Sequence, residues 1–423
     1  MRQKRAMARL PAPPDHQTTP DVRLRLLRAA QAQILATGFH DTNVDQVARR
    51  AGASKQTIYS HFASKEDLFQ DVLRMTMEEA GQQHEPDIGA LNFADACRAY
   101  AEWVEKSAAN PENLELYRAN IAATVAFPAL SEDLHNLRLT ASSMGITLLA
   151  HPGRPQGMPD TPPERLSNSL GVLAMAGPRT LLGFIPTPDE RRARQDAVVQ
   201  LASGGWATPV RAAALPLALQ PDAPAADSSE TGGRLPRERW TRLLRIAIRD
   251  FASSGLRRTS VEEIAAAARI SKMTIYKRYG NKQGLFAAAI EQAVEDLLET
   301  REPLPLGGAM RPALAAAALQ QDRFAQQPAY AALLCLMITE APTHAALVQR
   351  AWTRLNSPAQ AELAARLQEW QAEGAIHLVD PTIAAEQFLL LATRGNRRLT
   401  AALPWDEQEA AAHARDVTAL FCP

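Results

Sequence analysis

Apolar residues recur every three to four positions along most of the chain, the spacing of helices with one buried face. Leu24, Leu27, Ala30, Ile34 and Leu35 share such a face until Gly38 stops it. Thr19-Pro20-Asp21 opens that helix with an N-cap, a proline at the first helical position and an acid in the first turn. Thr42-x-x-Asp45 predicts a capping box for a second, short helix ending at Ala51-Gly52. Ser54 caps a third helix, KQTIYSHF, and Ser64-x-x-Asp67 a fourth that reaches His84. Later, YAALLCLMITEAP reads as an apolar helix, AALVQRAWTRLNSPAQAELAARLQEWQAEG as a long one, and 381–403 and 405–421 as a final pair. Segments 163–184 and 188–201 hold equivalent places in the first half. Aromatic residues make up only 5%, while the helix formers Ala and Leu abound, so the expected fold class is all-α.

The helical pattern is written twice. GFHDTNVDQVARRAGASKQTIYSHFASKEDLF (Gly38–Phe69) aligns without a gap to GLRRTSVEEIAAAARISKMTIYKRYGNKQGLF (Gly255–Phe286), at an offset of 217 residues and with 13 of 32 positions identical. A period this long denotes two complete units in tandem rather than a solenoid. Thr259-x-x-Glu262 and Ser271 repeat the second and third caps. Arg269 replaces Gly52 in the turn, which is tolerable if that residue is not at positive φ. The Pro-, Ala-, Gly- and Ser-rich stretch Ala207–Pro236 has no helical periodicity that survives its prolines and reads as a linker.

The formal net charge is zero, with 46 basic and 46 acidic side chains, which excludes a uniformly basic chain. The distribution is uneven: Met1–Phe69 carries a net +5, Gly233–Phe286 a net +9, and the remainder −14. Six of the seven lysines, all but Lys106, fall in the two basic segments. Cys97, Cys335 and Cys422 are far apart and odd in number, which points to a reducing compartment and to buried thiols rather than sensors. The nine histidines include no pair at helical ligand spacing, and no phosphate-binding, dinucleotide-binding or nucleophile-elbow motif occurs, so no metal, cofactor or catalytic residue is expected. The basic N-terminus has no apolar segment behind it, and the longest apolar run, Tyr330–Thr339, is half of what a bilayer span needs. These features imply a cytoplasmic, nucleoid-associated chain without a membrane partner.

Two short helices joined by a tight turn, the second with a polar outer side, form a helix-turn-helix whose second helix enters the major groove of double-stranded DNA. Lys55 and Lys272 open the recognition helices, within reach of phosphate or a guanine edge. A lysine there opposes the helix dipole, which disfavours a purely structural role. Ser54 and Ser271 cap these helices beside the DNA, and Thr57, Thr274, Tyr59 and Tyr276 offer hydroxyls to phosphate, with core packing as the other reading for the tyrosines. Ile58, Ile275, Phe62 and Tyr279 are core by spacing. Lys65 and Lys282 begin the fourth helix, as phosphate clamps or as solvated lysines, and Thr42 and Thr259 serve as caps, phosphate donors or both. Between the copies, Gln56, Ser60 and His61 become Met273, Lys277 and Arg278, so the two operator halves are expected to differ. Arg2, Lys4, Arg5 and Arg9 read either as a minor-groove arm or as a solvated tail.

The T-[NS]-V-x-x-[VI]-A helix, the SKxTIY recognition helix and the K-x-x-LF that follows it resemble the TetR family of bacterial one-component regulators. The resemblance covers Thr19–Met77 and Pro236–Val294. It implies about nine helices per copy, three that bind DNA and the rest binding a small effector and pairing through the last two. The organisation it implies is a basic arm at 1–18, a DNA-binding domain at 19–79 (helix-turn-helix 43–62), a regulatory domain at 80–206, a linker at 207–235, a second DNA-binding domain at 236–296 (helix-turn-helix 260–279) and a second regulatory domain at 297–423. One chain then mimics the family's homodimer as an intrachain pseudo-dimer, 163–201 packing against 381–421, or two chains pair as a homodimer. The effector's contact residues are not assigned by sequence. Tyr100, Trp103, Tyr117, Trp352 and Trp370 are candidates as pocket aromatics or as ordinary core. The rival function is a ligand- or protein-binding module with one DNA-competent copy, supported by Arg269 alone.

Overall fold

The computed structural model describes residues 22–81, 85–126, 143–155, 163–207, 237–395, 399 and 406–422. The Thr19-Pro20-Asp21 cap, the basic arm, most of the linker and His84 lie outside the described residues. Eighteen α-helices and no strand occur among those described, so the fold is all-α. The chain divides into two compact units, Met1–Val72 and Leu73–Pro423.

The first unit holds α1 (Val22–Asp41), α2 (Val44–Ala51), α3 (Lys55–His61) and the start of α4 (Lys65–Gly81). Its core is Leu26, Leu27, Ala30, Ile34, Val47, Ile58, Phe62 and Phe69. Leu27, Ala30 and Ile34 of the expected apolar face are buried and Leu35 is half-buried, but Leu26 is fully buried in place of Leu24, which is exposed. With Leu at 24, 26 and 27, spacing alone admits two registers, and packing of α1 into the shared core decides between them. The caps of α2 also differ from expectation. The N-cap is Asn43, whose side chain accepts from the Asp45 N–H, and Thr42 is buried just before it. Ser64 does cap α4, accepting from the Asp67 N–H at 3.1 Å while the Asp67 carboxylate accepts from the Ala63 N–H.

In the second unit, α5 (Phe93–Ala109), α6 (Pro111–Ala126), α7 (Ser143–Leu149), α8 (Pro163–Ala174), α9 (Pro178–Leu181) and α10 (Pro188–Gly204) lead into a 3₁₀ turn, Gly205–Ala207. After the linker come α11 (Arg237–Arg258), α12 (Val261–Ala268), α13 (Lys272–Tyr279), α14 (Lys282–Glu299), α15 (Met310–Ala325), α16 (Pro328–Ala372), α17 (Pro381–Ala392) and α18 (Glu407–Phe421). Two helices expected from the sequence fuse into the 45-residue α16, which kinks at His344, two residues past Pro342. By length and composition α16 is apolar enough to cross a membrane, and half of its apolar window is buried inside the protein. Leu333, Leu334, Met337 and Ile338 from that helix join the core around α11 and α14.

The second core runs across the two halves. The Trp206 ring packs 4.7 Å from Phe421 and 6.1 Å from Phe388, centroid to centroid. Its carbonyl accepts from the His377 N–H at 2.8 Å, and the Gln200 side-chain amide donates to the His377 carbonyl at 2.5 Å. Nearby, Arg194 makes a bidentate pair with Glu386 at 2.8 and 2.9 Å, with Arg179 3.7 Å from the same carboxylate. Helices α8 and α10 thereby pack on α17, and α10 also on α18. A further buried pair, Arg394–Asp322, ties the end of α17 to α15, with Glu409 on the outer side. The three thiols are buried, and burial pushes Cys97, Cys335 and Cys422 up to about 12.

Burial pushes the Glu386 carboxyl up, but Arg194 and Arg179 outweigh it and hold it below the ordinary carboxylate range. A carboxylate whose folded value is depressed stabilises above its unfolded pKa of about 4.3 and loses that contribution as pH falls through the folded value. Glu386→Gln is expected to lower the urea midpoint at pH 7 by an amount equivalent to about 3–5 kcal/mol, since it strands Arg194 in the seam. The gap to the parent protein is expected to narrow below about pH 4. Urea titrations across pH check both.

Candidate nucleic-acid interface

Both recognition helices are built the same way. In α3 the Ser54 side chain accepts from the Thr57 N–H at 3.0 Å and pairs with the Thr57 hydroxyl at 2.8 Å. In α13 Ser271 does the same with Thr274, at 3.1 and 2.7 Å. Ile58 and Ile275 are buried and anchor each helix to its core. The turn ahead of each helix also has one geometry: Gly52 lies at φ 63°, ψ 38° and Arg269 at φ 56°, ψ 44°. Each donates its N–H to the carbonyls three and four residues back. Arg269 therefore stands at positive φ, so the condition under which its exchange for glycine is free of strain is not met. A non-glycine residue there costs about 1–2 kcal/mol. The Arg239 guanidinium donates to the Arg269 carbonyl at 2.8 Å and helps to hold the turn.

The outward edges differ. On α3, Lys55, Gln56, Ser60 and His61 are exposed, as is Tyr59 at 48%. Thr57 is half-buried, and its carbonyl accepts from the Ser60 hydroxyl at 2.8 Å. On α13, Met273 is 81% exposed and Lys272, Lys277 and Arg278 are exposed beside it, while Thr274 and Tyr276 are half-buried. Arg278 lies over the Trp240 ring at 4.7 Å. Tyr279 packs edge-on to that ring, and burial raises its phenol.

Several lysines have structural partners that sequence reading missed. Lys55 pairs with Asp45 at 3.2 Å, and Lys272 pairs with Glu262, the equivalent residue of the second copy. The hydrogen bond from Lys272 lowers the Glu262 carboxyl and raises the lysine itself. Each pair ties the recognition helix to the first turn of the helix before it. An acid ten residues ahead of the lysine in both copies was the available signal. Lys282, rather than standing in solvent, donates to the Arg257 carbonyl at 3.0 Å. Lys65 is half-buried at the start of α4.

Thr259, expected to cap α12, is buried, and its hydroxyl donates to the carbonyls of Gly255 and Asp250 at 2.7 and 3.1 Å. The N-cap of α12 is Ser260, which accepts from the Glu263 N–H. As in the first copy, the cap sits one residue later than the Thr-x-x-acid pattern indicated; here the threonine ties down the end of the preceding helix. Of the aromatic ligand candidates, Trp103 and Tyr117 line a largely apolar cavity of about 230 Å³ walled by residues between Leu73 and Leu181. Trp352 lines a second cavity. Tyr100 and Trp370 are buried core residues. No cluster of three or more metal-ligating side chains occurs among the described residues.

The two copies start their fourth helices differently, and one glycine depends on it. Position 284 corresponds to Asp67 of the first copy, but a Cβ there would lie 2.0 Å from the Tyr279 carbonyl oxygen. Gly284→Ala is expected to destabilise the second DNA-binding domain by about 1–3 kcal/mol, read by thermal denaturation. Asp67→Ala, which keeps the Ser64 cap, is expected to cost about 1 kcal/mol or less.

Residues 26–72 and 243–289 each match the family described as bacterial regulatory proteins, tetR family, and residues 312–422 match the C-terminal domain of AefR-like transcriptional repressors. A curated HTH-type transcriptional repressor of Streptomyces coelicolor is 39% identical over 64 residues, 15% of this chain and 33% of the relative. The HTH-type transcriptional regulator SrpR of Pseudomonas putida is 34% identical over 69 residues, 16% of this chain and 32% of the relative. The matched region thus spans about a third of the length of these curated relatives. Among solved structures, Salmonella enterica GusR is 28% identical, with 44% of this chain and 94% of the solved chain covered and a TM-score of 0.33.

Proposed function

The chain belongs to the TetR family, of which it carries two DNA-binding domains and one C-terminal domain, and on that premise we propose that it is a sequence-specific transcriptional regulator. In this reading it is a cytoplasmic, ligand-released repressor whose two copies act as an intrachain pseudo-dimer on an imperfect palindromic operator. The observation that carries the reading is the pair of recognition helices with the same caps, the same turn and the same lysine–acid tie, each presenting an exposed polar edge. The packing of α8 and α10 on α17, and of α10 on α18, supports the pseudo-dimer, because the last helices of each copy are already covered within one chain.

The rival reading, with one DNA-competent copy, rests on Arg269. Its backbone matches that of Gly52 to within about 10°, so the substitution leaves the turn's geometry intact. That favours two competent heads. Their readouts differ in kind. Gln56 suits adenine, the bare Met273 side chain offers only apolar contact to a thymine methyl, and Lys277 and Arg278 suit guanine or phosphate. A ligand that binds better to the arrangement unable to engage DNA lowers operator affinity by its differential affinity.

Genome-wide mapping of bound DNA supplies the operator, and two measurements on it test the reading. Light scattering is expected to give a single chain of 46.1 kDa, free and on one duplex. Lys55→Ala and Lys272→Ala are each expected to weaken operator binding and to flatten the slope of log K against log salt by about 0.9 for each phosphate that the lysine neutralises in the parent protein. Weakening in only one variant favours the single-head reading, and a dimer of chains on DNA overturns the pseudo-dimer.

A further inference from the structure

We propose that Trp240 is a positioning residue for DNA binding: its indole face holds the Arg278 guanidinium at the side of the second recognition helix as a clamp for one backbone phosphate, a contact that the first copy lacks. The proposal rests on the reading of α13 as a helix that engages DNA, and it adds which residue of α11 controls that contact.

Three positions change together between the copies. At the offset of 217 residues, Arg23 becomes Trp240, His61 becomes Arg278 and Asp71 becomes Ala288. In the first copy the cation sits on α1. Arg23 lies over the Phe62 ring at 5.4 Å and forms an ion pair with Asp71 of α4. In the second copy the places are exchanged: the first helix supplies the ring and the recognition helix the cation. The Arg278 guanidinium lies 4.7 Å from the centre of the Trp240 ring and 5.8 Å from that of Tyr279. Trp240 is buried and meets Tyr279 edge-on, so the platform is fixed.

The charge on Arg278 is left over. The acid that engages Arg23 in the first copy is an alanine here, and among the described residues no carboxylate pairs with Arg278, which is exposed. A guanidinium over a ring face spends no N–H on the ring, and one already held there has less freedom to lose when it meets an anion. Helical geometry gives the target. Met273 and Lys277, four residues apart, share one edge of α13. Arg278 stands about 100° further round, on the side turned to α11. With Met273 and Lys277 toward the groove floor, Arg278 faces the strand that borders it. The contact carries no sequence information: it sets how firmly the second domain sits, not which bases it reads.

Fluorescence anisotropy on the purified full chain, with the mapped operator as probe and over a range of KCl concentrations, tests this. Arg278→Gln is expected to weaken binding about tenfold and to flatten the slope of log K against log salt by about 0.9. The loss is expected to be the same on operators changed one base pair at a time. Trp240→Leu keeps an apolar side chain in the core but removes the ring face. It is expected to weaken binding, to flatten the slope part-way, and to add nothing once Arg278→Gln is present. Should it fail to fold, Trp240→Phe, with a smaller face, is expected to give a milder loss of the same kind. Arg23→Gln, in the first copy, is expected to leave the slope unchanged. An unchanged slope in Arg278→Gln, a loss that vanishes at one base pair, or Trp240 and Arg278 effects that add independently would each overturn the proposal. A parent protein that binds operator while Arg278→Gln binds like it rejects the clamp alone. A parent that binds no duplex rejects the regulator reading, and the clamp with it.

Discussion

Burial of Trp206 is the contact on which the second unit depends. The ring stands just before the linker, and it leaves water by packing on Phe388 and Phe421 from the far half of the chain. The Arg194–Glu386 pair beside it is satisfied only when the same helices meet. A helix pair with an apolar face must be covered by something, and a partner held on the same chain does so at an effective concentration that dilution cannot lower. The seam within the second unit is therefore made by elements from both sides of the linker.

What was legible in the sequence is what local chemistry determines. The Ser54 and Ser271 caps, the buried isoleucines and the start of α10 at Pro188 each follow from a few adjacent residues. The misses share a cause, which is that a distant partner decided the outcome. Leu26 is buried and Leu24 is exposed because the rest of the first core lies on one side of α1. Thr259 binds backward to Asp250 and Gly255, leaving the cap to Ser260. Two predicted helices became one because α16 bends at His344, just past Pro342, without ending. In the candidate interface the exposed residues were readable from helical spacing, while the ties of Lys55, Lys272 and Lys282 were not, since each partner sits on another helix.

Fusing two copies into one chain also changes which substitutions are tolerable. In a symmetric homodimer every replacement appears twice and must suit both half-sites and both halves of the interface. Here each copy can vary alone. The residues that fix the recognition helices, the Ser54/Ser271 caps, the Ile58/Ile275 anchors and the exposed lysine–acid ties, are the same in both copies. The residues that differ, Gln56/Met273, Ser60/Lys277 and His61/Arg278, lie on the exposed edges, where a change costs the fold little. Arg269 shows the limit of that freedom. The second copy accepts a side chain at positive φ, and the backbone keeps the course that glycine gives it in the first. The exposed edges can therefore diverge between the copies while the scaffold that positions them stays the same.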